Sequence, residues 1–191
     1  LLKNFNINKI YSFEPNKNLF SGLKKKFENS NKNIVLFNMG LGLKKEYKNL
    51  NIMVDSSSST FNNINRTSAY FKRKQKIFNF FFKGKEFIKE QQEIEVNNLT
   101  NIIEINKINK IDLLKIDTEG YELNVLRGIE NQDFKKIKFI YFEHHYDLMI
   151  KKEYKFSDVH FFLKNQNFFL KYKLKMNFRK SFEYIYENLK K

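Results

Sequence analysis

Apolar and polar positions along this chain change period repeatedly, and each change marks an element. From Lys9 to Phe13 (K-I-Y-S-F) they alternate, as in a strand, and Pro15 stops the ladder directly after Glu14. Leu19, Phe20, Leu23 and Phe27 then recur at helical spacing, with Lys24 to Lys26 on the wet side. Ile34 to Asn38 is a second short strand, followed by Met39-Gly40-Leu41-Gly42. Leu43 to Asp55 reads as a strand or hairpin, and Ser56 to Thr60 as a polar loop. Phe61 to Phe87 keeps no clear period. It carries the basic patch Lys72-Arg73-Lys74 and the aromatic run Phe78 to Phe82, and the expectation is an insertion or lid over about 55–90. Glu93 to Val96 reads as a strand and Leu99 to Ile105 as a short helix.

The pattern is sharpest from Ile111 to Gly128. An apolar run ends on Asp117, as a buried strand delivering a carboxylate at its C-terminal end would. Gly120 breaks that strand, and Tyr121, Leu123, Val125, Leu126 and Ile129 follow at helical spacing, with Gly128 as terminator. Phe139 to Glu143 is another buried strand ending in an acid, and Phe156 to Asn165 is helical. The tail alternates with period two, which predicts a closing antiparallel hairpin. Strands separated by helices make this an α/β chain of parallel strands with an antiparallel edge. Its 191 residues fit one domain.

Composition narrows the function classes. There is no Cys, so a disulfide framework, thiolate metal sites and a Cys nucleophile are all excluded. No apolar run reaches the roughly 18 residues of a membrane span, and no signal peptide is visible, so the expected location is cytoplasmic. The formal charge of +15 can mean nucleic acid or an anionic membrane surface. Lys is accompanied throughout by Asn, Ile and Phe, however, and the basic residues form no single stripe. The charge therefore reads as a compositional bias, and a nucleic-acid partner is not expected.

Chemistry gathers at strand ends, where open α/β sheets bind ligands. Glu14 is placed to accept hydrogen bonds from ribose hydroxyls, or simply to favour the helix dipole. Asp117, Glu119 and Glu122 surround one strand-to-helix turn. They can hold a divalent cation or polarise a hydroxyl, or form an ordinary solvated turn. Asp117 and Glu119 are weak metal candidates, and their spacing specifies no metal. Glu143-His144-His145 ends the next strand; alternation lets only one of the two imidazoles face a site, and either can be a plain polar strand end. Ser56 to Thr60 lacks the surroundings of a nucleophile.

These pieces together resemble the FkbM-type, S-adenosylmethionine-dependent methyltransferases. The likeness rests on Y-S-F-E-P-N (Tyr11 to Asn16), N-M-G-L-G (Asn38 to Gly42), F-I-Y-F-E-H (Phe139 to His144) and, above all, D-L-L-K-I-D-T-E-G-Y-E-L-N-V-L-R-G (Asp112 to Gly128). The resemblance implies a class I methyltransferase, Rossmann-like α/β sandwich, with a mostly parallel sheet and an antiparallel C-terminal hairpin. The family's first strand and its glycine-rich loop find no counterpart before Glu14, so the expectation is an N-terminally shortened chain lacking that strand. Glu14 would then hold the cofactor's ribose, with Asn16 also among the cofactor-binding residues, Asn38 and its glycine-containing loop (Gly40) would lie near the adenine, and Asp117 would bind the cofactor facing the methyl-transfer site. The implied reaction is O-methylation of a sugar or related small hydroxyl compound, with Asp117, Glu143 and His144 as candidates to take the proton. The alternative is a catalytically silent module of this fold that binds a partner or polyanion through its basic surface, for which the test is heparin retention that collapses with salt.

Overall fold

A computed structural model of the chain describes residues 6–30, 33–53, 59–81, 88–177 and 180–189. The elements run β1 (Ile10–Phe13), α1 (Lys17–Phe27), β2 (Ile34–Phe37), β3 (Gly40–Leu41), β4 (Glu46–Met53), α2 (Ala69–Phe81), β5 (Ile88–Asn97), α3 (Leu99–Ile105) and β6 (Ile111–Ile116). They continue with α4 (Glu122–Arg127), α5 (Asn131–Phe134), β7 (Ile137–His145), α6 (Phe156–Asn165), β8 (Phe168–Lys175) and β9 (Ser181–Asn188).

The α/β alternation is present, but the strands form three sheets instead of one mostly parallel sheet. β1 and β2 make a parallel pair, β3-β5-β4 a mixed sheet of three strands, and β6-β7-β9-β8 a sheet of four. β6 and β7 run parallel, while β9 returns antiparallel between β7 and β8. The parallel share is smaller than expected because β4 and β5 add a long antiparallel ladder. β5 is also longer than the Glu93–Val96 reading. Ladder partners hold its charged N-terminal half extended, with Glu93 opposite Asn49 and Gln91 opposite Asn51.

Burial follows the β alternation in the two inner strands of the four-stranded sheet, β7 and β9, while β6 and β8 at its edges bury only Ile116 and Phe168. Ile140, Phe142 and His144 share one face of β7 with Ile116 on β6 and with Tyr184 and Tyr186 on β9, all buried. Val159 and Leu163 of α6 belong to the same cluster, and the Phe156 ring stacks on Tyr184 at 4.2 Å. Tyr141, Glu143 and His145 occupy the other face, beside Lys115 and Asp117. The two-stranded sheet is less enclosed: β1 and β2 are half-buried throughout, and the amphipathic α1 fully buries no residue. Asn16 caps α1, its Oδ1 accepting the N–H groups of Asn18 and Leu19 at 3.0 and 3.3 Å.

Within the expected insertion, the described residues pack as part of the domain. Phe71 joins Met53, Met149 and Ile150 in a small second cluster, with Phe78, Tyr70 and Ile64 against it. Ser56 to Ser58, and Phe82 to Phe87 at the end of the aromatic run, lie outside the described residues.

Candidate functional site

The turn after β6 is built by donors aimed at a buried acid. Glu122, 1% exposed, accepts the Gly120 N–H at 2.7 Å, the Thr118 hydroxyl at 3.2 Å and the Tyr154 hydroxyl. Glu119 and Gly120 both take positive φ, +49° and +93°. That conformation is easy for glycine and strained for glutamate, and a brace holds it. The Thr60 hydroxyl donates to the Glu119 carbonyl at 2.8 Å, and the Asn62 amide donates to the Gly120 carbonyl at 2.5 Å. A side chain at Gly120 would be strained by this φ and would also press on Ile150 and Asn62 side-chain atoms, 3.0 and 3.1 Å from where a Cβ would be.

This turn aims Glu119 at the end of β7. His145 Nε2 lies 3.3 Å from Glu119 and 3.4 Å from Glu143, and its Nδ1 lies 3.5 Å from Asp147. Burial disfavours the charged imidazole, but Asp147, Glu119 and Glu143 outweigh it and lift the His145 pKa above the usual histidine value. Burial raises the Glu119 pKa; the opposing pull of His145 is countered by Asp117, Glu143 and Glu122 nearby. Asp147 is buried too, yet His145, the Met149 N–H and Lys152 hold its carboxyl below the usual range. Lys152 donates to the His145 carbonyl, and burial lowers its pKa. Among the described residues, Ser181 Oγ is buried without a hydrogen-bond partner, and Glu143 Oε1 and His145 Nε2 face each other at 3.4 Å as an ion pair without hydrogen-bond geometry. Ser181 pairs directly with His145 across the ladder, so both side chains share a face.

The two histidines therefore divide as alternation demands. His145 faces the carboxylates. His144 points the other way, into the rings of Tyr146, Tyr154 and Phe156 at 5.0–5.9 Å. Burial, with Lys152 and His145 nearby, pushes its pKa down to about 3, so it is neutral at physiological pH. The strand thus puts His145, not His144, beside Glu143. The signal was present in the i, i+2 relation of Glu143 and His145. Asp147, Lys152, Thr60 and Ser181 carried no motif; only the fold gathers them.

Asp117 sits just past β6, half-exposed, paired with Lys115 at 2.8 Å. At the end of β1, Glu14 turns its carboxylate back to accept the Asn16 N–H at 2.8 Å; burial raises its pKa and that bond partly offsets the rise. Asn38 donates to the carbonyls of Glu14 and Pro15 at 2.9 and 3.2 Å. Glu14, Asn16 and Asn38 thus form one hydrogen-bonded corner, in which both asparagines shape the backbone. Gly40 lies beyond it in β3, with the Phe61 ring packed at 2.7 Å from its would-be Cβ. Among the described residues no group of three His, Asp or Glu side chains is set to hold a metal ion. A cavity of about 290 Å³, lined by Asn131, Phe134, Lys135, Gln166, Asn167 and Asn188, lies at the opposite end of β7 and contains none of these groups.

A family model described as the methyltransferase FkbM domain matches residues 2–170. No curated protein and no solved structure matches the chain.

Proposed function

The chain belongs to the FkbM methyltransferase domain family, and from that premise we propose that it transfers the methyl group of S-adenosylmethionine to a hydroxyl of a sugar or related small molecule. The observation that carries this reading is the convergence of Glu119, Glu143 and His145 at the carboxyl ends of β6 and β7, where Glu143 Oε1 is buried and, among the described residues, is met only by the His145 imidazole at 3.4 Å, without a hydrogen bond. A hydroxyl that donated there would satisfy an atom whose burial is otherwise costly.

The residues fit the cofactor at one point in particular. Glu14 is a carboxylate held at a strand end, with its backbone clamped by Asn38 and the first turn of α1 capped by Asn16. A carboxylate in that place accepts from the paired hydroxyls of a ribose. Gly40, under Phe61, is assigned a part near the adenine through that ring and not by direct backbone approach. When bound, S-adenosylmethionine supplies an electrophilic methyl on a sulfonium. The chain's own residues position the acceptor and take its proton. Glu143 and Asp117 are the carboxylates assigned to that proton. His145 takes the place that the sequence assigned to His144.

The reading is tested by calorimetry of S-adenosylmethionine with the protein and its Glu14→Ala variant. The expected result is a weakened affinity in the variant with an unchanged circular dichroism spectrum. Equal affinities would remove the ribose role. Methyl transfer from labelled S-adenosylmethionine to a panel of monosaccharides then tests the acceptor class, and Glu143→Gln is expected to lower the rate without altering cofactor affinity.

A further inference from the structure

The basic patch singled out in the sequence plays no part in the strand-end site, and the fold gives it a definite surface. It lies on α2, A-Y-F-K-R-K-Q-K-I-F-N-F-F, which carries Lys72, Arg73, Lys74 and Lys76 and no acid. Ser68 caps the helix through the Phe71 N–H at 3.2 Å, and Phe71 and Phe78 anchor its inner side on Met53, Met149 and Ile150. The inner side fixes what faces out. At 100° per residue, Arg73, Lys76, Ile77 and Phe80 (i, i+3, i+4, i+7) fall on the opposite side, flanked by Lys72. Phe80 is 78% exposed and Ile77 56% exposed, while Lys72, Arg73 and Lys76 are exposed around them.

We propose that this outward face of α2 docks on an anionic phospholipid surface. The chemistry of the face selects the occupant. Its cations have no carboxylate on the same helix to neutralise them, so they attract anions. A polyanion alone would satisfy those cations and leave Ile77 in water, because an aliphatic side chain has no ring face for a base to stack on. A membrane interface takes both kinds of group: headgroup phosphates meet Lys72, Arg73 and Lys76, whose stems extend outward, and Ile77 and Phe80 enter the acyl boundary. The helix lies in the plane of the surface, since its inner side stays fixed to the domain.

The test is co-sedimentation of the protein with vesicles of phosphatidylcholine containing about a third phosphatidylglycerol, against vesicles of phosphatidylcholine alone. The expected result is partitioning onto the anionic vesicles only. The Ile77→Ser, Phe80→Ser double variant is expected to lose about tenfold or more in partitioning. Lys72, Arg73 and Lys76 changed together to Gln are expected to lose at least as much, with a weaker salt dependence. Changing Lys171, Lys173 and Lys175 of β8 to Gln is expected to change little. All these positions are at the surface, and unchanged melting curves verify the fold. Three results would overturn the proposal: no binding to anionic vesicles; equal losses from the α2 and β8 charge variants, which would mean generic attraction to a basic protein; or undiminished vesicle binding by the Ile77, Phe80 variant. Displacement from vesicles by poly(U) at equal charge would likewise overturn it in favour of nucleic acid.

Discussion

Two glycines provide a matched experiment in which one substitution acts with opposite signs. Gly128 closes α4 with an ordinary φ of −81°, so alanine there meets no backbone penalty. Its requirement for glycine is steric. A methyl would overlap the Gly42 carbonyl, with the carbonyl carbon at 3.0 Å and Asn98 Cβ at 3.1 Å. The obstacle is backbone, anchored by the Gly42 N–H bond to the Asn97 carbonyl at 2.9 Å, so no side-chain rotation relieves it. Gly128→Ala is expected to cost about 3 kcal/mol, at the upper end of overpacking. For a domain of this size that is a fall in Tm of roughly 6–12 °C. Gly22, by contrast, lies exposed inside α1 with nothing within 4 Å of the place a methyl would take. Gly22→Ala is expected to gain roughly 0.5–1 kcal/mol from helix propensity, a rise of about 1–4 °C. Thermal unfolding followed by circular dichroism measures both. If Gly128→Ala melts at or above the parent, the close approach of α4 to the β3 strand end, and with it the packing behind the site, is refuted.

Other perturbations read the site itself. Glu122→Ala removes an acceptor from two hydroxyls and from the buried Gly120 N–H, and is expected to destabilise by about 3–5 kcal/mol, measurable by urea unfolding. His145→Gln is a pH experiment. The folded pKa of His145 is raised, so its stabilisation is fully present below pH ~6.5 and is lost as pH climbs through the folded value. The stability gap between parent and variant should therefore be larger at pH 6 than at pH 9, and a gap that widens with pH would contradict the ion cluster. Ser181→Ala deletes a buried hydroxyl that has no hydrogen-bond partner among the described residues, and stability should stay level or rise by up to ~1 kcal/mol. A loss above ~2 kcal/mol in the melting curve would mean that the hydroxyl already has a partner.

Much of the fold was readable from local pattern. The strand from Ile111, the break at Gly120 and the helix after it lie where Ile111 to Gly128 indicated, because that helix has one apolar stripe and Gly120 takes the φ in the turn that glycine tolerates best. The strand itself is not the buried one its apolar run suggested: β6 lies at the edge of its sheet and buries only Ile116. The β8–β9 hairpin followed from the period-two tail, although only β9 buries alternate residues, and β8 is exposed beyond Phe168. β5 was only half seen, because Ile88 to Gln92 is a charged run whose extended form depends on pairing with β4. The division into three sheets had no local signal. Pairing joins residues tens of positions apart, and its register is set by which faces get buried.

The same boundary runs through the site. The sequence by itself determined that carboxylates end the strands, that Glu14 is held by Pro15 at a strand end, and that only one histidine of the pair could face them. Alternation and chain punctuation are properties of neighbouring residues. Alternation already put His145 on the face of Glu143; tertiary structure alone decided that this face meets the other carboxylates, because the packing buries His144 among aromatic rings and leaves His145 to Glu119, Glu143 and Asp147. It alone decided that Thr60 and Asn62 would brace a strained Glu119 from about sixty residues away. Charge and proton affinity at such a point depend on burial and on neighbours supplied by several segments, and these exist only once the chain has packed.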